Sequence, residues 1–161
     1  DCGLIGRMTT DWILLDGIVV PGHKIASGQA ADGPYPAGAL HMQKPFFRRY
    51  GLELDAYYEG TLNISIRPFT FKLVKPQFTF PLVEWTSLHP PETFSFSSCR
   101  IFYENTFYSG WVYYPHPETK QTHFQDAGVV EVITNRLSGM HYGAALQVAL
   151  NPAEIDIIDP Q

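Results

Sequence analysis

The chain has 161 residues, of which 45% are hydrophobic and 17% charged, with a formal net charge of −5. That length suits one domain with a sizeable core, and a weakly acidic chain with no long run of like charges offers a nucleic-acid backbone no electrostatic footprint. Aromatic residues reach 14%, with eleven Phe and nine Tyr, a bias toward strands rather than helices.

Residues 1–11 carry little pattern and are read as a poorly ordered leader. "WILLDGIVV" (12–20) is apolar, β-branched toward its end and closed by Pro21-Gly22, which predicts a first strand. Residues 21–39, "PGHKIASGQAADGPYPAGA", hold four glycines and three prolines, so this loop can bring backbone close to another group without Cβ interference. "HMQKPFFRRYGLEL" (41–54) predicts a helix of about two turns, with Pro45 in the first turn and Gly51 as the stop.

From Thr61 the pattern has period two. "TLNISIRPFTFKLV", "QFTFPLVEW", "TFSFSSCRIFYE", "TFYSGWVYYP", "GVVEVITN" and "ALQVAL" read as strands, and Glu104-Asn105 marks a hairpin turn. Short apolar strands with one helix predict a closed β-barrel over residues 12–150, because closure removes sticky edges. The acidic segment 151–161 is read as a surface tail.

No apolar run approaches the roughly 18 residues that span a bilayer, and Cys2 and Cys99 read as free thiols in a chain large enough to do without staples. These features predict a soluble, cytoplasmic protein with no membrane partner. The six histidines form no H-x-H or H-x-x-x-H pair and the cysteines no C-x-x-C, so neither a zinc site nor a cupin-type metal site has its spacing. There is no G-x-S-x-G elbow, and covalent hydrolysis would require groups that converge only in space.

Two features remain as candidates for chemistry. The loop "SGQAADG" (27–33) can offer backbone N–H groups to phosphates. In "GTLN" (60–63), Thr61 and Asn63 lie two apart on a strand and share a face, so their side-chain oxygens could serve a hard cation such as Mg²⁺; a threonine opening a strand after glycine is more often turn chemistry. Lys44, Arg48 and Arg49 could neutralise phosphates or form a solvated helix face. Tyr57, Tyr58, Trp85, Trp111, Tyr113 and Tyr114 could stack on a flat ring or pack the core. Asp32 and Glu59 are acidic groups flanking the two features.

The order "GIVV", "SG…G", "KPFFRRYGLEL", "YYEGTLNISI" resembles the archaeal-type CTP-dependent riboflavin kinases, whose pattern is a strand, an S-G-x-G-x-G loop, a helix ending L-G-F-x-P, then Y-x-G-T-L-N. The match is literal at Tyr58, Gly60, Thr61, Leu62 and Asn63. "GVVEVITNRLSGMHYG" is similar to the family's E-I-I-E-I-I-A-P-x-x-L-R segment, so the resemblance spans roughly residues 12–150. It implies a mainly β, six-stranded closed cradle-loop barrel with one short helix, moving a phosphoryl group from CTP to riboflavin with Mg²⁺. By resemblance, Thr61 and Asn63 hold the metal, Ser27, Gly28, Gly33 and Asn135 the nucleotide, and His123 and Asp126 the flavin. The family's glutamate opening the late strand aligns with Gly128, so Asp126 or Glu131 would take its place; Asp32 and Glu59, flanking the site, are candidate bases, and Asp32 and Glu131 are the candidate catalytic carboxylates. The chain departs from the pattern where "SGQAADG" puts alanine for the middle glycine and adds a residue. A barrel that binds a flavin, nucleotide or other small molecule without turnover is the alternative.

Overall fold

The computed structural model describes residues 11–22, 39–119 and 126–161. Its strands are β1 (Ile13–Val20), β2 (Leu62–Ser65), β3 (Thr70–Leu73), β4 (Phe78–Val83), β5 (Glu92–Tyr103), β6 (Thr106–Pro115), β7 (Val129–Thr134), β8 (Ala145–Leu150) and β9 (Ile155–Ile158), with one helix, α1 (Leu40–Arg49), among the described residues. β5, β6, β7, β2, β1 and β8 pair in that order, and β8 returns to β5, closing a six-stranded antiparallel barrel. The predicted mainly β barrel with one short helix is the fold observed.

Closure depends on the length of β5. Its twelve residues let one edge serve two neighbours: β4 pairs along Glu92–Phe96, and β8 pairs along Cys99–Phe102. Strand alternation sorts its side chains. Cys99, Ile101 and Tyr103 face the barrel core with Leu62, Ile64, Val130 and Val132, so Ser95 and Ser97 share that inward face. Phe94 and Phe96 face outward, where Phe47 of α1 meets their rings edge-on at 5.1 and 5.0 Å.

α1 therefore roofs a second apolar cluster on the outside of the barrel. Leu40, Gln43, Lys44 and Phe47, at helical spacing, form its buried face. Its C-terminus closes as a Schellman motif: Leu52 N donates to Phe47 O at 2.9 Å and Gly51 N to Arg48 O at 3.0 Å, with Gly51 at φ +106°. The stop is where the sequence places it, but the start is not. The helix begins at Leu40, so Pro45 is its sixth residue rather than a first-turn one. Both Pro45 and His41, whose carbonyl would otherwise receive the missing N–H, lie on the exposed face, where water can satisfy it.

Two further expectations differ. The alternating run 61–74 is not one strand: it breaks after β2, where Phe69 N bonds Ile66 O at 3.0 Å, and resumes as β3 in a separate two-stranded sheet with β9. The segment 151–161, read as a surface tail, supplies β9, and Ile155 is buried in the barrel cluster; its Ile-x-Ile-Ile pattern gives β3 an apolar partner. The Glu104-Asn105 turn forms as predicted, both residues at positive φ (49° and 64°) between the paired Tyr103 and Thr106. Among the described residues no helix is long and apolar enough to cross a membrane.

Candidate functional site

The "GTLN" residues lie on the outer face of the barrel. Leu62 and Ile64 are sealed in the core, so alternation turns Thr61 and Asn63 outward, and both are half-buried. The ladder then brings in two neighbours, because Asn63 pairs with Val20 on β1 and with Glu131 on β7. Glu131 also points outward, between the buried Val130 and Val132. Thr61 Oγ1 donates to Glu131 Oε2 at 2.6 Å, a short bond of the kind an ionised acceptor makes. A hydroxyl, an amide and a carboxylate thus converge within one turn of sheet.

The chain leaves β1 through Pro21 and Gly22 against this cluster. A Cβ on Gly22 would come to 2.8 Å from Asn63 Nδ2, so the absence of a side chain at 22 is what leaves the Asn63 amide its place. On the other flank, the segment before Gly60 is clamped by α1. Lys44 is 9% exposed, and its Nζ lies 3.0 Å from both Asp55 Oδ1 and Glu59 Oε2. His41 Nδ1 approaches Glu59 Oε1 at 3.2 Å, and Arg48 donates to Glu53 at 3.0 Å and Asp55 at 2.7 Å. Tyr58 N donates to Thr134 O at 3.0 Å, anchoring the same segment to β7.

These contacts set the charge states. Burial pulls the Lys44 ammonium down, but its bonds to Asp55 and Glu59 outweigh that and hold it above its ordinary value. Lys44 and then His41 hold the Glu59 carboxyl below the usual range. Burial first, and then the charges of Glu131 and Glu92, push the Tyr113 phenol well up; it stays neutral and donates to Gln43 Oε1 at 2.7 Å.

The structure brings together Thr61, Asn63 and Glu131, with Asn135 exposed just beyond the end of β7. Asp126 sits at the other end of β7, beyond Ser65 and so more than about 13 Å along the strand from Thr61 at roughly 3.3 Å per residue. There it accepts from Gly128 N at 2.7 Å and pairs with Arg67. Ser27, Gly28, Asp32, Gly33 and His123 lie outside the described residues. Lys44 and Arg48 are ion-paired within the chain, and Arg49 lies over the Phe46 ring at 5.2 Å. Of the aromatic candidates, Tyr113 is buried, Trp85 donates to Glu92 at 3.0 Å, and Tyr58 carries the Arg136 guanidinium over its ring at 5.0 Å. Strand parity announces the Thr61–Glu131 meeting once the strands are paired; nothing in the sequence announces that Gly22 abuts Asn63.

The oxygens of Thr61, Asn63 and Glu131 are the donors here that could hold a hard cation. No group of three or more His, Cys, Asp or Glu among the described residues could hold a metal. Compared with protein-family models and with curated protein sequences, the chain matches none.

Proposed function

We propose that this barrel is a riboflavin kinase-like phosphotransferase that moves a phosphoryl group from a nucleotide, CTP by resemblance, to a flavin hydroxyl. The observation that carries the reading is the Thr61–Glu131 bond beside Asn63, with Gly22 packed against the Asn63 amide. Phosphoryl transfer asks chiefly for positioning and charge neutralisation, and these residues are suited to both.

The residues fit Mg²⁺: Thr61 and Asn63 each carry a side-chain oxygen two apart on one face of the strand, and the Glu131 carboxylate beside them adds negative charge. When bound, the ion would neutralise charge on the phosphates. Thr61 spends its proton on Glu131 and so meets the site as an acceptor, with the Asn63 amide beside it. Glu131 takes the proton of the acceptor hydroxyl as the new O–P bond forms, and the bond to the nucleoside diphosphate breaks. Lys44 holds Glu59 and Asp55 and so fixes the segment leading into Thr61.

One observation favours the second reading, a barrel that binds such ligands without turnover. Lys44 and Arg48 are already neutralised by carboxylates of the chain, so α1 brings little net positive charge to a triphosphate. Calorimetry with CTP, ATP and riboflavin, with and without Mg²⁺, followed by an assay for FMN, separates the two. Turnover that disappears in Thr61→Ala and Asn63→Ala supports the kinase; ligand binding that ignores Mg²⁺ and survives both substitutions refutes it.

A further inference from the structure

A second cluster lies at the inward face of β5, outside the phosphotransfer site. Ser95 is fully buried, and its Oγ lies 2.7 Å from His116 Nε2. On the far side of the ring, His116 Nδ1 lies 3.0 Å from Glu118 Oε2. A carboxylate can only accept, so Nδ1 carries the shared proton and Nε2 is left to accept the Ser95 hydroxyl. Thr79 Oγ1, 2.7 Å from Ser95 Oγ, then acts as donor, and the serine keeps a lone pair. The order hydroxyl, imidazole, carboxylate is that of an activated nucleophile with an oriented base.

The imidazole is held by rigid parts of the barrel. His116 N donates to Thr93 O at 2.8 Å. Thr119 Oγ1 donates to His116 O at 3.1 Å and accepts from Thr93 N at 2.9 Å. The Tyr114 ring meets the imidazole edge-on with centroids 5.2 Å apart. A bond from its own backbone N–H, and then the one from His116, hold the Glu118 carboxyl below the usual range, which keeps it ionised.

We propose that Ser95, His116 and Glu118 form a nucleophilic relay in which Ser95 accepts an acyl group from a small carboxylic ester. Ser95 Oγ bonds to the ester carbonyl carbon while its proton passes to His116 Nε2. The bond from that carbon to the alcohol oxygen breaks, and the alcohol leaves with the proton. Water, deprotonated by the same nitrogen, then cleaves the acyl-serine and restores the hydroxyl. Ser95 lies mid-strand between β4 and β6, where its backbone N–H belongs to the ladder; acylation therefore rests on the relay and is slow. Ser95 is sealed, and its hydroxyl bonds the exposed Thr79, so an ester reaches it only when that side chain moves aside.

The test uses the full chain and a fluorophosphonate probe, with the labelled residue located by peptide mass spectrometry. The expected label is on Ser95 in the folded protein and is lost in urea. Thr79→Ala, which uncovers the hydroxyl, raises the labelling rate; Glu118→Gln, an exposed change that leaves packing intact, lowers it by about tenfold or more. Absence of label from Ser95 in both the unaltered chain and Thr79→Ala overturns the proposal, as does a rate indifferent to Glu118→Gln. The two sites share no residue, so this outcome leaves the phosphotransfer reading where it stood.

Discussion

Gly22 packs so close to Asn63 that a Cβ at position 22 would come to 2.8 Å from Nδ2. The atom it would strike is the tip of a side chain, which can rotate away, so Gly22→Ala should change stability by less than about 1 kcal/mol. The rotation moves the Asn63 amide, however. On the phosphotransferase reading, Mg²⁺-dependent nucleotide binding then weakens by about tenfold while the urea midpoint hardly shifts. Calorimetry beside a urea titration reads both; unchanged binding would place Asn63 outside the ligand site.

The clamp from α1 predicts a pH dependence. Asp55 and Glu59 are held below their ordinary values of 3.8 and 4.5 by Lys44 first, with Glu53 and His41 next in each case. A carboxyl lowered by folding contributes stability that is complete above its unfolded value and lost as pH falls through its folded one. The thermal midpoint should therefore fall as pH drops below about 4.5. Lys44→Met should flatten that fall and cost about 1–2 kcal/mol at pH 7, less than a sealed ion pair because both carboxylates stay half-exposed. A pH–stability profile unaffected by Lys44→Met would assign the acid sensitivity elsewhere.

How far the sequence announces this molecule depends on which forces act locally. The hairpin at Glu104-Asn105 and the helix stop at Gly51 depend on backbone angles of single residues, and both are legible. An apolar, β-branched run closed by Pro21-Gly22 reveals β1, and alternation reveals β6 and β7 because one face of each is dry. Along 94–97 it marks the strand correctly but not the burial of all four residues, since α1 covers the outer face of a strand whose inner face is core. It also fails at 61–74, where a uniform pattern hides a change of sheet, and at 151–161, where an acidic tail contains the strand that β3 needs. Thr61 and Asn63 share a face by strand geometry alone, while Glu131 joins them only through register, seventy residues later. Ser95 and His116, 21 residues apart, meet because β6 returns along β5, which spacing does not display.

Gly110 tests the barrel itself. It faces inward on β6, opposite Cys99 and Thr134, and a Cβ there would lie 2.5 Å from the Ile133 carbonyl oxygen. Backbone cannot swing aside as Asn63 can, so the β6–β7 seam must spread. Gly110→Ala should cost about 1–3 kcal/mol, read as a lower urea midpoint with an unchanged slope. A neutral substitution would mean that the seam is looser than its register implies.

Thr61 and Glu131 allow the hydroxyl and the charge to be tested apart. Thr61→Val keeps the shape and removes the donor, leaving a half-buried carboxylate without its 2.6 Å bond at a cost of about 1 kcal/mol. Thr61→Ser keeps the hydroxyl and should preserve most stability. Glu131→Gln retains an acceptor for Thr61 but removes the negative charge, so stability should change little while Mg²⁺-dependent binding and phosphoryl transfer both fall. A purely structural bond predicts the reverse order for ligand binding: none of the three variants would alter it, and only Thr61→Val would lower the melting temperature. Measuring binding and melting on the same three proteins therefore decides whether the pair serves the ligand or only the fold.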